Sequence, residues 1–342
     1  MFDINKIVRK NILELEKYSS ARDEFSGKEG VFLDANENPF GRLNRYPDPY
    51  QVELKSKLEK LKGIKSSSIF IGNGSDEIID IAFRIFCNPG KDKALTFTPT
   101  YGMYTVSAAI NQVDLMQVPL NNEFQIDLKQ VEAFLEDENL KLIFICSPNN
   151  PTGNIINKND IISILKKFKG IVIIDEAYID FSESESLISL LNEYQNLIIS
   201  QTFSKAWGLA AARVGVAYSS ETITSLFNKV KPPYNVSKMN QLSAIEAIEN
   251  EIDFKQNVHI ILKEKERLKN ELIQLAFVKK VYPSAANFFL VEVSDAELLY
   301  NQLIEQKIII RNRNKQVKNT VRITIGSTEE NNRLINALKK IK

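Results

Sequence analysis

The sequence predicts an α/β fold: a large domain with a mostly parallel seven-stranded sheet covered by helices, plus a smaller α+β domain. Three observations carry this. Seven short runs (SIFIG, ALTFTP, VDLMQVPL, LKLIFICSP, GIVIIDEAY, NLIISQ and VGVAY) are apolar along their length rather than alternating, as strands buried on both faces are. Helical patterns lie between them, which is the sequence signature of a parallel sheet wound with helices. The length, 342 residues, exceeds the usual span of one domain.

Taken in order, the start MFDINKIVRKNILELEKY mixes acids and bases around spaced Ile, Leu and Val. It reads as an amphipathic arm, neither a signal peptide nor a membrane span. Residues 1–44 are assigned to this arm and part of the small domain, 45–237 to the large domain and 238–342 to linking helices and the small C-terminal domain. Within the large domain, IDLKQVEAFLED sets Leu128, Val131 and Leu135 on one helical face. Pro232 and Pro233 of KPPYNVS break regular structure. From Lys238 to Leu275 the pattern is of long, charged helices. NFFLVEV, a helix, IIIRN, VRITIG and a last helix then form the smaller unit, the last opened by Ser327 with Glu330 three residues on as a capping box.

Composition limits the function classes. Lys plus Arg number 44 against 43 Asp plus Glu, so no basic excess points to nucleic acid or an acidic membrane. The two cysteines, Cys87 and Cys146, lie in apolar surroundings and read as buried free thiols, with a reducing, cytoplasmic setting as the expectation. No cluster reads as a metal site.

Functional groups of open α/β sheets gather beyond the carboxyl ends of strands, and the residues following each apolar run are polar. After SIFIG, GNGSDE offers Gly72 and Gly74 for a tight turn and Ser75 as a cap for the next helix. The amides of Ser75, Asp76 and Glu77 would face an anion, although the same residues make an ordinary strand-to-helix turn. After ALTFTP, Tyr101 can stack on a planar ligand or simply pack. SPNNPTGN is a rigid turn, or one that fixes Asn150 to donate to a ligand. Asp175 follows four apolar residues, so it needs a cationic or hydrogen-bonding partner, and Tyr178 lies three residues on. SQTFSKAWGLAAARVG places the Thr202 and Ser204 hydroxyls beside Lys205, with Arg213 eight residues later and no acid in the run. The partners of these two cations are therefore expected to be ligand groups. A poorly solvated lysine amine is nucleophilic and bonds carbonyl carbons. One ligand meets every group: pyridoxal 5'-phosphate has a phosphate, a planar ring, a phenolic oxygen, a ring nitrogen and an aldehyde.

These stretches, with LDANENP, LNRYPDP, TPTYGMYTVSA, IIIRNRNK and VRITIG in the same order, resemble the fold type I pyridoxal-phosphate aminotransferases over nearly the whole chain. Within them the chain is most similar to the histidinol-phosphate aminotransferases. The resemblance implies that Lys205 bonds the cofactor aldehyde and that Asp175 keeps the ring nitrogen protonated. It implies Asn150 and Tyr178 on the ring oxygen, Tyr101 on the ring face, and Ser75, Asp76, Thr202, Ser204 and Arg213 around the phosphate. Tyr46 would reach that phosphate from a second subunit, so a homodimer with shared active sites is implied. Arg322, helped by Arg311, would hold the substrate's anionic group, with Tyr18 and Asn36 lining the same pocket. The implied substrates are histidinol phosphate and glutamate or 2-oxoglutarate, with Asn150 also near them. Ala211 stands where the family commonly has glycine, which implies closer packing and unchanged chemistry. His259, the only histidine, falls in a helical pattern and reads as structural. Rival readings are an aminotransferase for aromatic amino acids, a decarboxylase of a phosphorylated amino acid, and a cofactor-binding regulator without activity; the chain shows no added DNA-binding stretch for the last. GNGSDE lacks the lysine of a P-loop and the third glycine of a dinucleotide fingerprint.

Overall fold

The computed structural model describes residues 2–16 and 30–341. Tyr18 lies outside the described residues. The large sheet contains seven strands: β1 (Ile69–Asn73), β2 (Lys93–Thr98), β3 (Asp114–Pro119), β4 (Leu140–Cys146), β5 (Ile171–Asp175), β6 (Leu197–Thr202) and β7 (Val214–Ser219). Their spatial order is β1-β7-β6-β5-β4-β2-β3. Pairings from β3 through β6 are parallel, and only β7 runs antiparallel to its neighbours β6 and β1. All seven apolar runs become strands. β3 departs from full burial because it is the sheet edge, with one neighbour and most of its residues part-exposed.

Helices cover both faces. On one side α3 (Ser75–Phe86) buries Ile78, Ile79, Ala82, Phe83 and Phe86, joined by Ile223 and Phe227 of α7 (Glu221–Val230). On the other, α5 (Leu128–Leu135) and α6 (Lys158–Lys167) bury Val131, Leu135, Ile161, Ile164 and Leu165, as the helical periodicity predicts. The N-terminal arm departs from its assignment to the small domain. Val8 and Ile12, the latter in the short helix α1 (Lys10–Leu13), join the core of α3 and α7, and the Arg9 amide donates to the Ile85 carbonyl at 3.0 Å. The greasy side of the arm thus finds the nearest apolar helix faces of the large layer.

After α2 (Val52–Lys62) and α4 (Met103–Ile110) in the large layer, the chain continues through α8 (Lys238–Glu249) and the longer α9 (Glu251–Leu272). The second sheet is antiparallel, ordered β10-β11-β9-β8, from β8 (Val278–Val281), β9 (Phe288–Val293), β10 (Arg311–Asn312) and β11 (Thr320–Thr324). Leu268 and Leu272 of α9 pack under it with α10 (Ala296–Glu305) and α11 (Thr328–Leu338). Ser327 and Glu330 make both bonds of the predicted capping box. The IIIRN run forms a strand only at its last two residues. A small cluster joins the two sheets: Tyr178, Phe181 and Ala206 from the first meet Ala286 and Phe288 from the second. His259 is exposed on α9. Among the described residues no helix is long and apolar enough to cross a membrane.

Candidate active site

The carboxyl ends of β4, β5 and β6 lie side by side, with Cys146 paired to Asp175 and Asp175 to Ser200 in the register. Polar side chains following those ends converge on one cavity lined by Ser75, Asp76, Tyr101, Cys146, Asn150, Asp175, Ala177, Tyr178, Thr202, Ser204, Lys205 and Arg213. Ten of these are residues singled out from the sequence, drawn from segments up to 138 positions apart, and the strand ends bring them together.

Asp175 is the floor. It is buried, accepts from the Tyr104 hydroxyl at 2.8 Å and from the Ala177 amide at 3.1 Å, and has no ion pair among the described residues. Burial pushes its carboxyl above the usual range, and the Tyr104 hydrogen bond opposes that shift. A buried carboxylate without a cation fits a ligand that brings a positive charge, as a pyridinium nitrogen does. Tyr104 was not among the residues recognised in the sequence. Its ring is fully buried and stacks on Phe144, so the sequence pattern shows only a core aromatic on α4.

Lys205 stands in the connection between β6 and β7, which Gly208 turns with a φ of 70°. The lysine lines the cavity and is exposed as a residue, yet protein atoms partly desolvate its amine. Desolvation lowers its pKa from 10.5, and repulsion from Arg322 lowers it further against the pull of Asp175. The amine sits 5.6 Å from the centre of the Tyr178 ring.

At the other end of the cavity the backbone opens a cradle. α3 begins after Gly74 with no side chain capping its first amides, so Ser75 is the first helical residue and not the cap expected of it. Gly74 has φ 77°, and a Cβ there would lie 2.6 Å from Arg213 Nη2. A Cβ on Gly215 would lie 2.4 Å from the Gly74 carbonyl carbon and the Ser75 nitrogen. Arg213, itself left-handed at φ 52°, aims Nη1 at Ser204 Oγ at 3.5 Å. Thr202 Oγ1 accepts from the Ser204 amide at 3.1 Å. Free helix amides, two hydroxyls and a guanidinium fit a phosphate. The expectation that both cations of this run lack an acid holds for Lys205 but not for Arg213, whose Nη2 lies 3.3 Å from Asp76 Oδ2. That acid comes from α3, 137 positions away, and also accepts from the Tyr101 hydroxyl at 3.0 Å.

Asn150 joins the cavity to the second sheet. Its Nδ2 donates to the Tyr178 hydroxyl at 3.2 Å, while its Oδ1 accepts from Arg322 Nη1. Arg322, on β11, lies over the Phe288 ring at 5.1 Å and is directly opposite Arg311 of β10. Arg313, passed over in the sequence, belongs to the same group: burial, then Arg322 and Arg311, lower its pKa to about 10. Asn36 and Tyr46 are exposed and outside the cavity. Tyr46 stacks on Tyr234 with ring centres 4.3 Å apart.

Residues 25–338 match the family described as aminotransferase class I and II. The chain belongs to that family. A curated relative from Flavobacterium johnsoniae, named histidinol-phosphate aminotransferase, is 51% identical over 346 aligned residues covering 99% of this chain and 98% of its own. Among solved structures, the histidinol-phosphate aminotransferase from Clostridium acetobutylicum superposes with a TM-score of 0.79 at 28% identity, covering 87% of this chain and 90% of that one. The enzyme of the same name from Sinorhizobium meliloti, in complex with pyridoxal-5'-phosphate, reaches a TM-score of 0.80 at 22% identity over 97% and 96% of the two chains, a likeness of fold. The seven-stranded sheet and the smaller antiparallel one are thus the architecture of this family.

Proposed function

We propose that the chain is a pyridoxal-phosphate-dependent transaminase that moves an amino group between histidinol phosphate and 2-oxoglutarate, giving imidazole acetol phosphate and glutamate, a step of histidine biosynthesis. What carries the reading is Lys205 facing Asp175, a buried acid with no protein cation paired to it, in a chain half identical along its length to a relative so named.

When bound, pyridoxal phosphate supplies an aldehyde that takes up amines and a protonated ring that withdraws electrons from the carbon beside them. The Asp175 carboxylate holds the proton on the ring nitrogen, with Tyr104 fixing that carboxylate in place. Arg213, Ser204, Thr202 and the first amides of α3 receive the cofactor phosphate. Tyr101 would cover the ring face, and Asn150 and Tyr178 would hold its phenolic oxygen. Lys205 is the amine that would hold the cofactor by its aldehyde. Once freed, Lys205 Nζ would serve as general base and then acid, taking a proton from the substrate carbon that bears the amino nitrogen and giving it up to the carbon on the far side of that nitrogen. Desolvation lowers the pKa of this amine from 10.5, which makes it readier to act as the base. Arg322 and Arg311 hold the anionic end of the substrate.

The reading includes a homodimer, with Tyr46 of one subunit serving the phosphate of the other and Asn36 near the shared pocket. Supporting this, Val31, Leu33, Phe40 and Leu43, on the same stretch as Tyr46, each expose 65% or more of their surface, apolar area that a second copy would cover. A cytoplasmic setting belongs to the same proposal.

Specificity constants decide the substrate. Those for histidinol phosphate should exceed those for phenylalanine, and threonine phosphate should release no carbon dioxide. A preference for phenylalanine would make the chain an aromatic aminotransferase, and carbon dioxide from threonine phosphate would make it a decarboxylase.

A further inference from the structure

The edge of the second sheet carries more positive charge than an amino-acid carboxylate requires. Arg311 and Arg322 are directly opposed across β10 and β11, and the Arg313 amide donates to the Thr320 carbonyl at 2.9 Å on the same pair of strands. The period of two along a strand then sets Arg311, Arg313 and Arg322 on one face. None of the three has an ion pair among the described residues. Arg322 spends Nη1 on Asn150, but its Nε and the Nε of Arg313 are buried with no hydrogen-bond partner. Guanidiniums cannot shed charge as lysines do, so a cluster of this kind repels itself until an anion enters.

The number of cations bears on which anion. A carboxylate presents two oxygens and one charge, which the fork of a single arginine saturates. A phosphate monoester presents three terminal oxygens and close to two charges, so it accepts donors from several guanidiniums at once. Both kinds of anion must use this place if the proposed reaction is right, since glutamate brings a carboxylate where histidinol phosphate brings its phosphate ester. Resting on that reading, we infer that Arg313 is a specificity-determining residue: it is the added donor that makes the anion site favour a phosphate monoester over a carboxylate. The Arg322 guanidinium serves both, and Arg313, just past β10 and with its buried Nε unpartnered, supplies the added donor. Burial first, and then repulsion from Arg322 and Arg311, lowers the pKa of Arg313, and a dianion would relieve the second of these.

The experiment uses the holoenzyme and two measurements on wild type, Arg313→Gln and Arg313→Lys. One is the ratio of specificity constants for histidinol phosphate and glutamate, each followed as a half-reaction by cofactor absorbance. The other is inhibition of the glutamate half-reaction by inorganic phosphate. Arg313→Gln should shift the ratio toward glutamate and weaken phosphate inhibition, each by roughly tenfold to a hundredfold, the span of one charge-assisted hydrogen bond. Arg313→Lys should restore part of both. Equal losses for the two substrates, or phosphate inhibition that does not change in Arg313→Gln, would overturn the inference. If wild type turns over glutamate but not histidinol phosphate, the substrate reading fails instead, and phosphate inhibition still decides the role of Arg313.

Discussion

The cofactor cavity and the arginine cluster of the second sheet, two ends of a site joined through Asn150, are built on opposite terms. At the cofactor end the polar groups hold one another: Tyr104 holds Asp175, Tyr101 and Arg213 share Asp76, and Thr202 holds the Ser204 amide. At the β10–β11 end, positive groups face one another with buried nitrogens unpaired. The first arrangement suits a cofactor that stays through every cycle, because donors already in position lose little freedom on binding. The second suits anions that come and go, because the charge they neutralise raises the energy of the empty site.

The comparison breaks most sharply at Lys205. Lys205→Ala should lower turnover by at least about a thousandfold, since both a covalent link and a general base are lost. It should also abolish borohydride trapping of the cofactor on the chain. Survival of both would remove Lys205 from the chemistry. Next in size is the preformed cradle. Gly215→Ala pushes a methyl into the backbone of Gly74 and Ser75, and overpacking of this sort costs about 1–3 kcal/mol. Thermal unfolding should register that loss, and pyridoxal phosphate should dissociate faster, because the start of α3 moves. An unchanged melting temperature and cofactor affinity would mean the cradle has slack that these contacts do not suggest.

Tyr104→Phe is a smaller change at the same end. The hydroxyl is the side-chain donor to a buried carboxylate, so its loss should destabilise the apo chain by about 1–3 kcal/mol. The folded pKa of Asp175 is already above 3.8 and would rise further. The folded state then holds the proton to higher pH than the unfolded chain, so stability falls as pH rises through that window. The destabilisation of Tyr104→Phe should accordingly be larger at neutral pH than in mild acid. A loss independent of pH would show that Tyr104 acts through packing alone.

What the sequence makes legible follows the same division. All seven strands of the large sheet are readable because burial on both faces leaves continuous apolar runs, and the residues past their ends identify the cofactor end almost completely. Asp76 as the partner of Arg213 is not readable, since the pair spans 137 positions and depends on β1 and β7 lying side by side. Tyr104 is hidden because a buried phenol and a buried phenyl leave the same helical pattern. Arg313 is hidden because a two-residue strand gives no alternation by which to tell one face from the other. The arm's docking on α3 and α7 is hidden too, since an amphipathic segment states that it needs an apolar surface and not which one.

The two ends also communicate, and the smallest predicted effect tests that. After burial, repulsion from Arg322 is the largest influence lowering the pKa of Lys205; Arg213 adds less, and Arg311 is not among the leading influences. In the apo chain only the unprotonated amine attacks the cofactor aldehyde, so the rate of cofactor attachment should rise with pH to a half-point below the ordinary 10.5. Removing the charge in Arg322→Gln should move that half-point upward, Arg322→Lys should hold it near its wild-type position, and Arg311→Gln should leave it where it is. Stopped-flow absorbance after mixing with pyridoxal phosphate gives the profile for each, and differences among variants cancel the titration of the cofactor itself. If Arg322→Gln slows the glutamate half-reaction but does not shift the profile, the arginines act on the substrate alone and the two ends are independent. A shift that follows the charge at position 322 would mean that an arriving anion, by neutralising Arg322, raises the basicity of Lys205 at the moment the amine must accept a proton.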